Sequence, residues 1–222
     1  MSSEGHRKRL RSKFVSSGFV GFHDYEIIEL LLTLGVPRKD CKLLAKELIK
    51  KYGSVSGIIY AGDQELKSIK GLGESSIFGI KLAREISLYM GNEELLSVSN
   101  NTSFIEVLAQ QLVKEIGYDK KESFKVVCLN TKGGVVSEVV SVGSLNASVV
   151  HPREVFKVAI ENSSASIVVA HNHPSGDTNP SEDDILTTRR IVESGKIIGI
   201  DVVDHIIVSR TGYTSLSKMG FL

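Results

Sequence analysis

The hydrophobic period of this 222-residue chain changes once, near residue 100, which restricts it to two regions of different architecture. From Asp24 to Met90 apolar residues recur at helical spacing: Ile27, Ile28, Leu30, Leu31 and Leu34, then Leu43, Leu44, Leu48 and Ile49. Such spacing lines one stripe of a helix, so this half is expected to be a small bundle of short helices. Gly35-Val-Pro37, Gly53-Ser54 and Gly71-Leu72-Gly73 separate them, because glycine and proline end helices and open turns. The polar stretch Ser97–Asn101 reads as a linker, giving one domain over 1–96 and another over 102–222.

Beyond a helix at Phe104–Ile116 come β-rich runs: Phe124–Leu129, Val135–Val142, Ile167–Ala170 and Val202–Val208. Helices at Pro152–Ile160 and Glu182–Ser194 are interleaved with them, which predicts an α/β (α+β) layer structure. The connection Thr131–Gly134 is too short for a crossover, so the sheet is expected to be mixed, with helices flanking it. The chain has no internal repeat and no low-complexity segment.

At 41% hydrophobic and 24% charged residues, the chain can bury one good core or two smaller ones. Met1–Lys13 carries five basic residues with no apolar run behind it, and no later stretch is long enough to span a bilayer. A cytoplasmic protein with no membrane partner is expected. Cys41 and Cys128 are isolated, which argues against disulfides or a cysteine zinc site and for two small buried hydrophobes. The net charge of +1 hides an asymmetry: residues 1–90 hold 15 Lys and Arg against 10 Asp and Glu, and the remainder 12 against 16. The basic residues fall in three patches, Arg7–Lys13, Arg38–Lys51 and Lys67–Lys81, which suit either a polyanion partner or a solvated helical surface.

The most informative segment runs from the apolar strand Ile167–Ala170 straight into His171-Asn-His173-Pro174. Residues two apart in a strand point to one side, so both imidazoles can reach one point. Pro174, Gly176 and Pro180 then form a loop, and Ser181 opens a helix whose first turn holds Asp184. Two histidines and one carboxylate leave a fourth tetrahedral position open, which distinguishes catalytic zinc sites from closed structural ones. Ser181 with Asp184 also fits a helix N-cap with an acidic first turn.

His171-x-His173-Pro174 followed by Ser181 and Asp184 resembles the JAMM (MPN+) metalloprotease motif, HxHPxxxxxxSxxD. The wider block resembles the bacterial RadC family, historically labelled as DNA repair proteins: Gly143–Ala147, Val150-His-Pro-Arg-Glu154, His171–Asp177 and Asp204-His205-Ile-Ile-Val208. That likeness runs the whole chain, including Gly5–Phe14 and the helical region after it. It implies a JAMM-like domain holding Zn2+ on His171, His173 and Asp184, with water as nucleophile and an amide bond, peptide or isopeptide, as substrate. It also implies that Ser181 supports the oxyanion and that a glutamate at the start of the domain's first strand is the general base. Glu122 fits that place; Glu138, inside the second strand, is the alternative and reads equally well as an exposed face residue. His205 suits either a residue that orients a ligand from behind or a hydrogen-bonded core histidine. His151-Pro-Arg-Glu154 reads as an ordinary helix start.

Leu66–Gly73 followed by a helix resembles the hairpin of helix-hairpin-helix DNA-binding modules. Glycines there let the backbone approach a phosphate, and Lys67, Lys70 and Lys81 supply positive charge. Two functions follow as expectations. One is a zinc-dependent peptidase or isopeptidase, acting on a peptide or protein substrate and brought to DNA by its N-terminal half. The other is a DNA-binding, repair-associated module whose metal is structural or serves non-proteolytic chemistry.

Overall fold

The computed structural model describes residues 3–36, 40–97, 102–140 and 150–222. Linker positions 98–101, strand positions 141–142 and the block Gly143–Ala147 lie outside the described residues. The chain divides into two compact units, Met1–Ser87 and Leu88–Leu222.

The first unit contains α1 (Ser3–Ser17), α2 (Asp24–Gly35), α3 (Lys42–Tyr52), α4 (Val55–Ile59), α5 (Asp63–Lys67) and the start of α6 (Glu74–Ser97). Its core is Ile28, Leu32, Ala45, Leu48, Ile58, Leu66 and Ile80, all buried; of the positions that helical spacing singles out, Ile28 and Leu48 are among these, whereas Leu34 and Leu43 face outward. The glycine signals end or open the expected elements. Gly53 caps α3 in the left-handed conformation, and Ser54 caps α4 by accepting from the Gly57 N–H at 3.0 Å. The helix expected over Glu74–Met90 continues to Ser97. The basic N-terminal segment forms α1, where Leu10 is buried and His6 donates to the buried Glu29 carboxylate at 2.9 Å. That segment has too few apolar residues to show a helical period.

Among the described residues, the second unit is built on a five-stranded mixed sheet. After α7 (Thr102–Ile116) come β1 (Phe124–Leu129), β2 (Val135–Val140), α8 (Pro152–Glu161), β3 (Ser166–Asn172), α9 (Glu182–Ile198), β4 (Asp201–Ser209) and β5 (Gly212–Ser215). The order is β2-β1-β3-β4-β5, with only the β3–β4 pair parallel, joined through α9. β5 was not anticipated. Its four residues follow a turn at Arg210-Thr211 and alternate too briefly to stand out as a strand.

One sheet face packs Val127, Leu129, Val168, Ala170, Ile206 and Val208 against Leu108, Leu112 and Ile116 of α7. The other packs Phe124, Val126, Cys128, Ile167 and Val169 against α8 and α9 through Val155, Phe156, Ala159 and Ile191. β3 is central and covered on both sides, which is why its sequence is continuously apolar rather than alternating. Both cysteines are buried, and burial pushes both thiols above their ordinary range. α9 settles closely on α8 because Gly195 has no side chain: a Cβ there would stand 2.5 Å from the Ile200 carbonyl oxygen and 3.1 Å from the Phe156 ring. No described helix is long and apolar enough to cross a membrane.

β1 alternates faces, so Lys125 points into the α7 layer, where it is 2% exposed and forms an ion pair with Glu115. Glu115→Leu takes that carboxylate from a buried ammonium and is expected to destabilise the sheet unit by about 3–5 kcal/mol. The double variant Lys125→Met/Glu115→Leu should recover most of the loss, as read from urea denaturation midpoints; equal losses in both would deny the pair its role.

Candidate metal centre

The site is built at the C-terminal end of β3. His171 lies in the last rungs of the ladder, register-paired with Phe124 of β1. His173 continues the ladder by one step: its N–H donates to the Val208 carbonyl of β4 at 2.8 Å. With period two preserved, both rings emerge on the α9 side of the sheet. Pro174 and Gly176 then turn the chain, and the turn is pinned to the β4–β5 hairpin. The Gly176 carbonyl accepts from the hydroxyls of Ser209 at 3.2 Å and Thr211 at 2.8 Å.

The third group arrives with α9. Ser181 caps the helix by accepting from the Asp184 N–H at 3.1 Å. The Asp184 carboxylate accepts in return from the Ser181 N–H at 2.8 Å and its hydroxyl at 2.6 Å. This capping box fixes the carboxylate over the histidines: its oxygens stand 3.1 Å from His171 Nε2 and 3.5 Å from His173 Nε2. The N-cap reading of Ser181 and Asp184 holds, and it turns the carboxylate toward the histidines. Burial acts to raise the Asp184 carboxyl, but hydrogen bonds with His171 and Ser181 and the proximity of His171 outweigh it. The group is held well below the usual carboxylate range.

One donor atom each from His171, His173 and Asp184 lies within 4.8 Å of the others, a spacing suited to a shared cation. The chemistry of the set agrees. His173 Nδ1 stands 2.7 Å from the Asp177 carbonyl, which can only accept, so Nδ1 carries the proton and Nε2 presents a lone pair. That Nε2 faces His171 Nε2 at 2.9 Å with the carboxylate beside them, two imidazole nitrogens and a carboxylate oxygen of the kind zinc takes. Zinc therefore fits the residues present.

Behind the donors, His171 Nδ1 stands 2.8 Å from His205 Nε2, and His205 Nδ1 stands 2.6 Å from the Thr188 hydroxyl. Burial pushes the His205 imidazole down to about 3, with nearby His171 acting in the same direction and Asp184 opposing. His205 is thus a hydrogen-bonded core histidine that also touches a donor. His151 is the N-cap of α8, its Nδ1 accepting from the Arg153 N–H at 3.2 Å, so that cluster is the helix start it resembled.

Glu122 is exposed and lies two residues before β1. Extending the antiparallel β1–β3 register by two residues sets it level with His173. Glu138 pairs with Val127, which pairs with Val168, three residues below His171. At about 3.3 Å per residue that is roughly 10 Å from the histidines along the strand.

Sequence reasoning missed Asn172 and Thr188. Asn172, between the histidines, is fully buried and points to the opposite side. Its amide donates to the carbonyls of Asp119 and Lys121, both at 3.1 Å, and its oxygen accepts from the Ser123 N–H at 2.6 Å. It clamps the segment that carries Glu122. A polar residue inside an otherwise apolar central strand was the available signal. Thr188 had a weaker one, a hydroxyl one helical turn after Asp184.

The family model of the RadC-like JAB domain matches residues 99–221. A UPF0758 protein of Fusobacterium nucleatum is 38% identical over 99% of this chain and 98% of its own length. UPF0758 proteins of Syntrophomonas wolfei and Caldanaerobacter subterraneus are 35% and 37% identical, over 96% and 97% of this chain and 93% of each relative.

Asn172→Ala should cost about 2–4 kcal/mol in urea denaturation, because three backbone groups lose their partner at about 0.5–1.5 kcal/mol each. Hydrogen exchange should quicken over residues 119–123 before it does elsewhere in the sheet; exchange at the parental rate there would rule out the clamp.

Proposed function

Because the chain belongs to the bacterial RadC family, we propose that His171, His173 and Asp184 hold a zinc ion and that the protein hydrolyses an amide bond, peptide or isopeptide, in a peptide or protein substrate. The observation that carries this is the convergence of two imidazole nitrogens and a buried, ionised carboxylate on one point, with no fourth protein donor in that cluster among the described residues. Bound there, zinc supplies a Lewis acid that lowers the pKa of a water at its open position. Glu122 is the general base in this reading, taking a proton on its carboxylate and returning it to the leaving amine. Register favours it over Glu138, whose backbone pairs at a level three residues down the sheet from His171. Ser181 stabilises the oxyanion, which requires its hydroxyl proton to turn from Asp184 toward substrate. Asn172 keeps the Glu122 segment against the end of β3.

The test begins with metal content after dialysis without chelator. About one zinc per chain in the parent and little in Asp184→Ala is expected. Glu122→Gln should keep its metal and lose about 100-fold or more of any peptidase activity found in a substrate screen. Metal-free parent protein, or a Glu122→Gln variant as active as the parent, would sink the corresponding part.

The N-terminal unit favours a second, compatible role in contacting duplex DNA. Its α5–α6 hairpin has Gly71 at φ +91°, a buried Leu72 and Gly73 directly before α6, with exposed Lys67 and Lys70 beside the turn. Lys81 serves differently from expectation: it is ion-paired with Asp63, which also approaches Arg84. Contacts would be made to phosphates, salt-sensitive and independent of sequence. Reversing Lys67 and Lys70 to Glu should weaken duplex binding at low salt and flatten its salt dependence; binding unaffected by the reversal removes the hairpin from consideration.

A further inference from the structure

A histidine can ligate a metal through Nε2 only if its proton sits on Nδ1, and the protein decides this by what it offers Nδ1. Around His171 that choice can be followed atom by atom. The Thr188 hydroxyl stands 2.6 Å from the backbone carbonyl of Asp184, one helical turn earlier. A carbonyl has no proton to give, so Thr188 donates there, and its single hydroxyl proton is spent. Toward His205 Nδ1, also 2.6 Å away, the same oxygen can only accept, so His205 Nδ1 carries the proton. His205, fully buried with its one proton placed on Nδ1, then offers Nε2 as the acceptor for His171 Nδ1 at 2.8 Å. His171 must donate from Nδ1, so Nε2 is the nitrogen turned to His173 and Asp184.

We propose that Thr188 and His205 are positioning residues that lock His171 in its Nδ1–H tautomer and thereby keep its Nε2 ready to ligate metal. The chain of hydrogen bonds starts at the backbone of Asp184 and ends on the ring of His171, so it joins two of the three donors through groups that touch neither metal nor substrate. It also ties α9 to β4 and β3 at the level of the site, since Thr188, His205 and His171 belong to those three elements. All three residues are at least 98% buried, so water offers no substitute partner if one is removed. His173 is set independently, by the Asp177 carbonyl of its own loop. Losing the relay should therefore disturb one ligand and not the other. The inference takes the metal site proposed above as its setting, but the tautomer is a property of the metal-free protein.

The experiment compares full-length parent, Thr188→Val, Thr188→Ser and His205→Gln. In metal-free protein with 15N-labelled histidine, the tautomer of His171 is read from its ring nitrogen shifts. Zinc affinity is then measured by chelator competition and the Co2+ complex by its visible spectrum. Parent and Thr188→Ser, which keeps the hydroxyl, are expected to show His171 with a proton held on Nδ1. Thr188→Val and His205→Gln should show mixed tautomers, zinc affinity lowered about 10–100-fold, and an altered cobalt spectrum. Thermal melting of the metal-free proteins separates this from simple destabilisation: rescue by serine of both tautomer and affinity marks positioning. A His171 proton held on Nδ1 as in the parent and parental zinc affinity in Thr188→Val would overturn the proposal. If the parent binds no zinc, the metal reading fails, and the metal-free tautomer measurement still decides the relay.

Discussion

The second unit depends on the burial of β3 from both sides. With α7 on one face and α8 and α9 on the other, Ile167, Val168, Val169 and Ala170 leave no freedom of register, since a slip of one residue would exchange their two packed surfaces. That rigidity is what makes a strand end usable as a site. β1 runs antiparallel beside it and brings residues 119–123 to its C-terminal end; β4 runs parallel and brings His205 alongside His171. Residues scattered from 119 to 205 meet because one strand holds the others.

Polar groups at that strand end obey the rule that burial requires partners. Asp184 serves as a helix cap and as an acceptor facing two imidazoles, so the helix start and the site share one hydrogen-bond set. Asn172, on the opposite side of the strand from its histidine neighbours, closes three backbone groups that the chain entering β1 would otherwise leave open. The segment HNHP thus divides its work by strand parity. The odd positions face the donor cluster, and the even one secures the neighbouring loop.

The helical unit is organised differently. Its core is a set of short stripes closed by caps and glycine turns, and its charged residues partly neutralise one another. Asp63 engages Lys81 and Arg84, so the number of basic residues in this half overstates the cations open to a polyanion. What remains beside the Gly71-Leu72-Gly73 turn is the Lys67 and Lys70 pair, with Glu74 opening the next helix.

The amino-acid sequence by itself determined whatever depends on local period and local turns. The helical stripes of the first unit, the strands β1 to β4, the mixed character of the sheet and the conjunction of His171, His173, Ser181 and Asp184 all belong here, because each is encoded within a few residues of itself. α1 and β5 escaped notice for the same reason, being too polar or too short to carry a period. Tertiary structure alone decided which residues stand behind and beside the donors. His205 reaches His171 through a parallel pairing of β3 with β4, Thr188 through the seating of α9, and Glu122 lines up with His173 through the β1–β3 register. These relations depend on strand order and register, which follow from burying two sheet faces at once and leave no mark at fixed spacing along the chain.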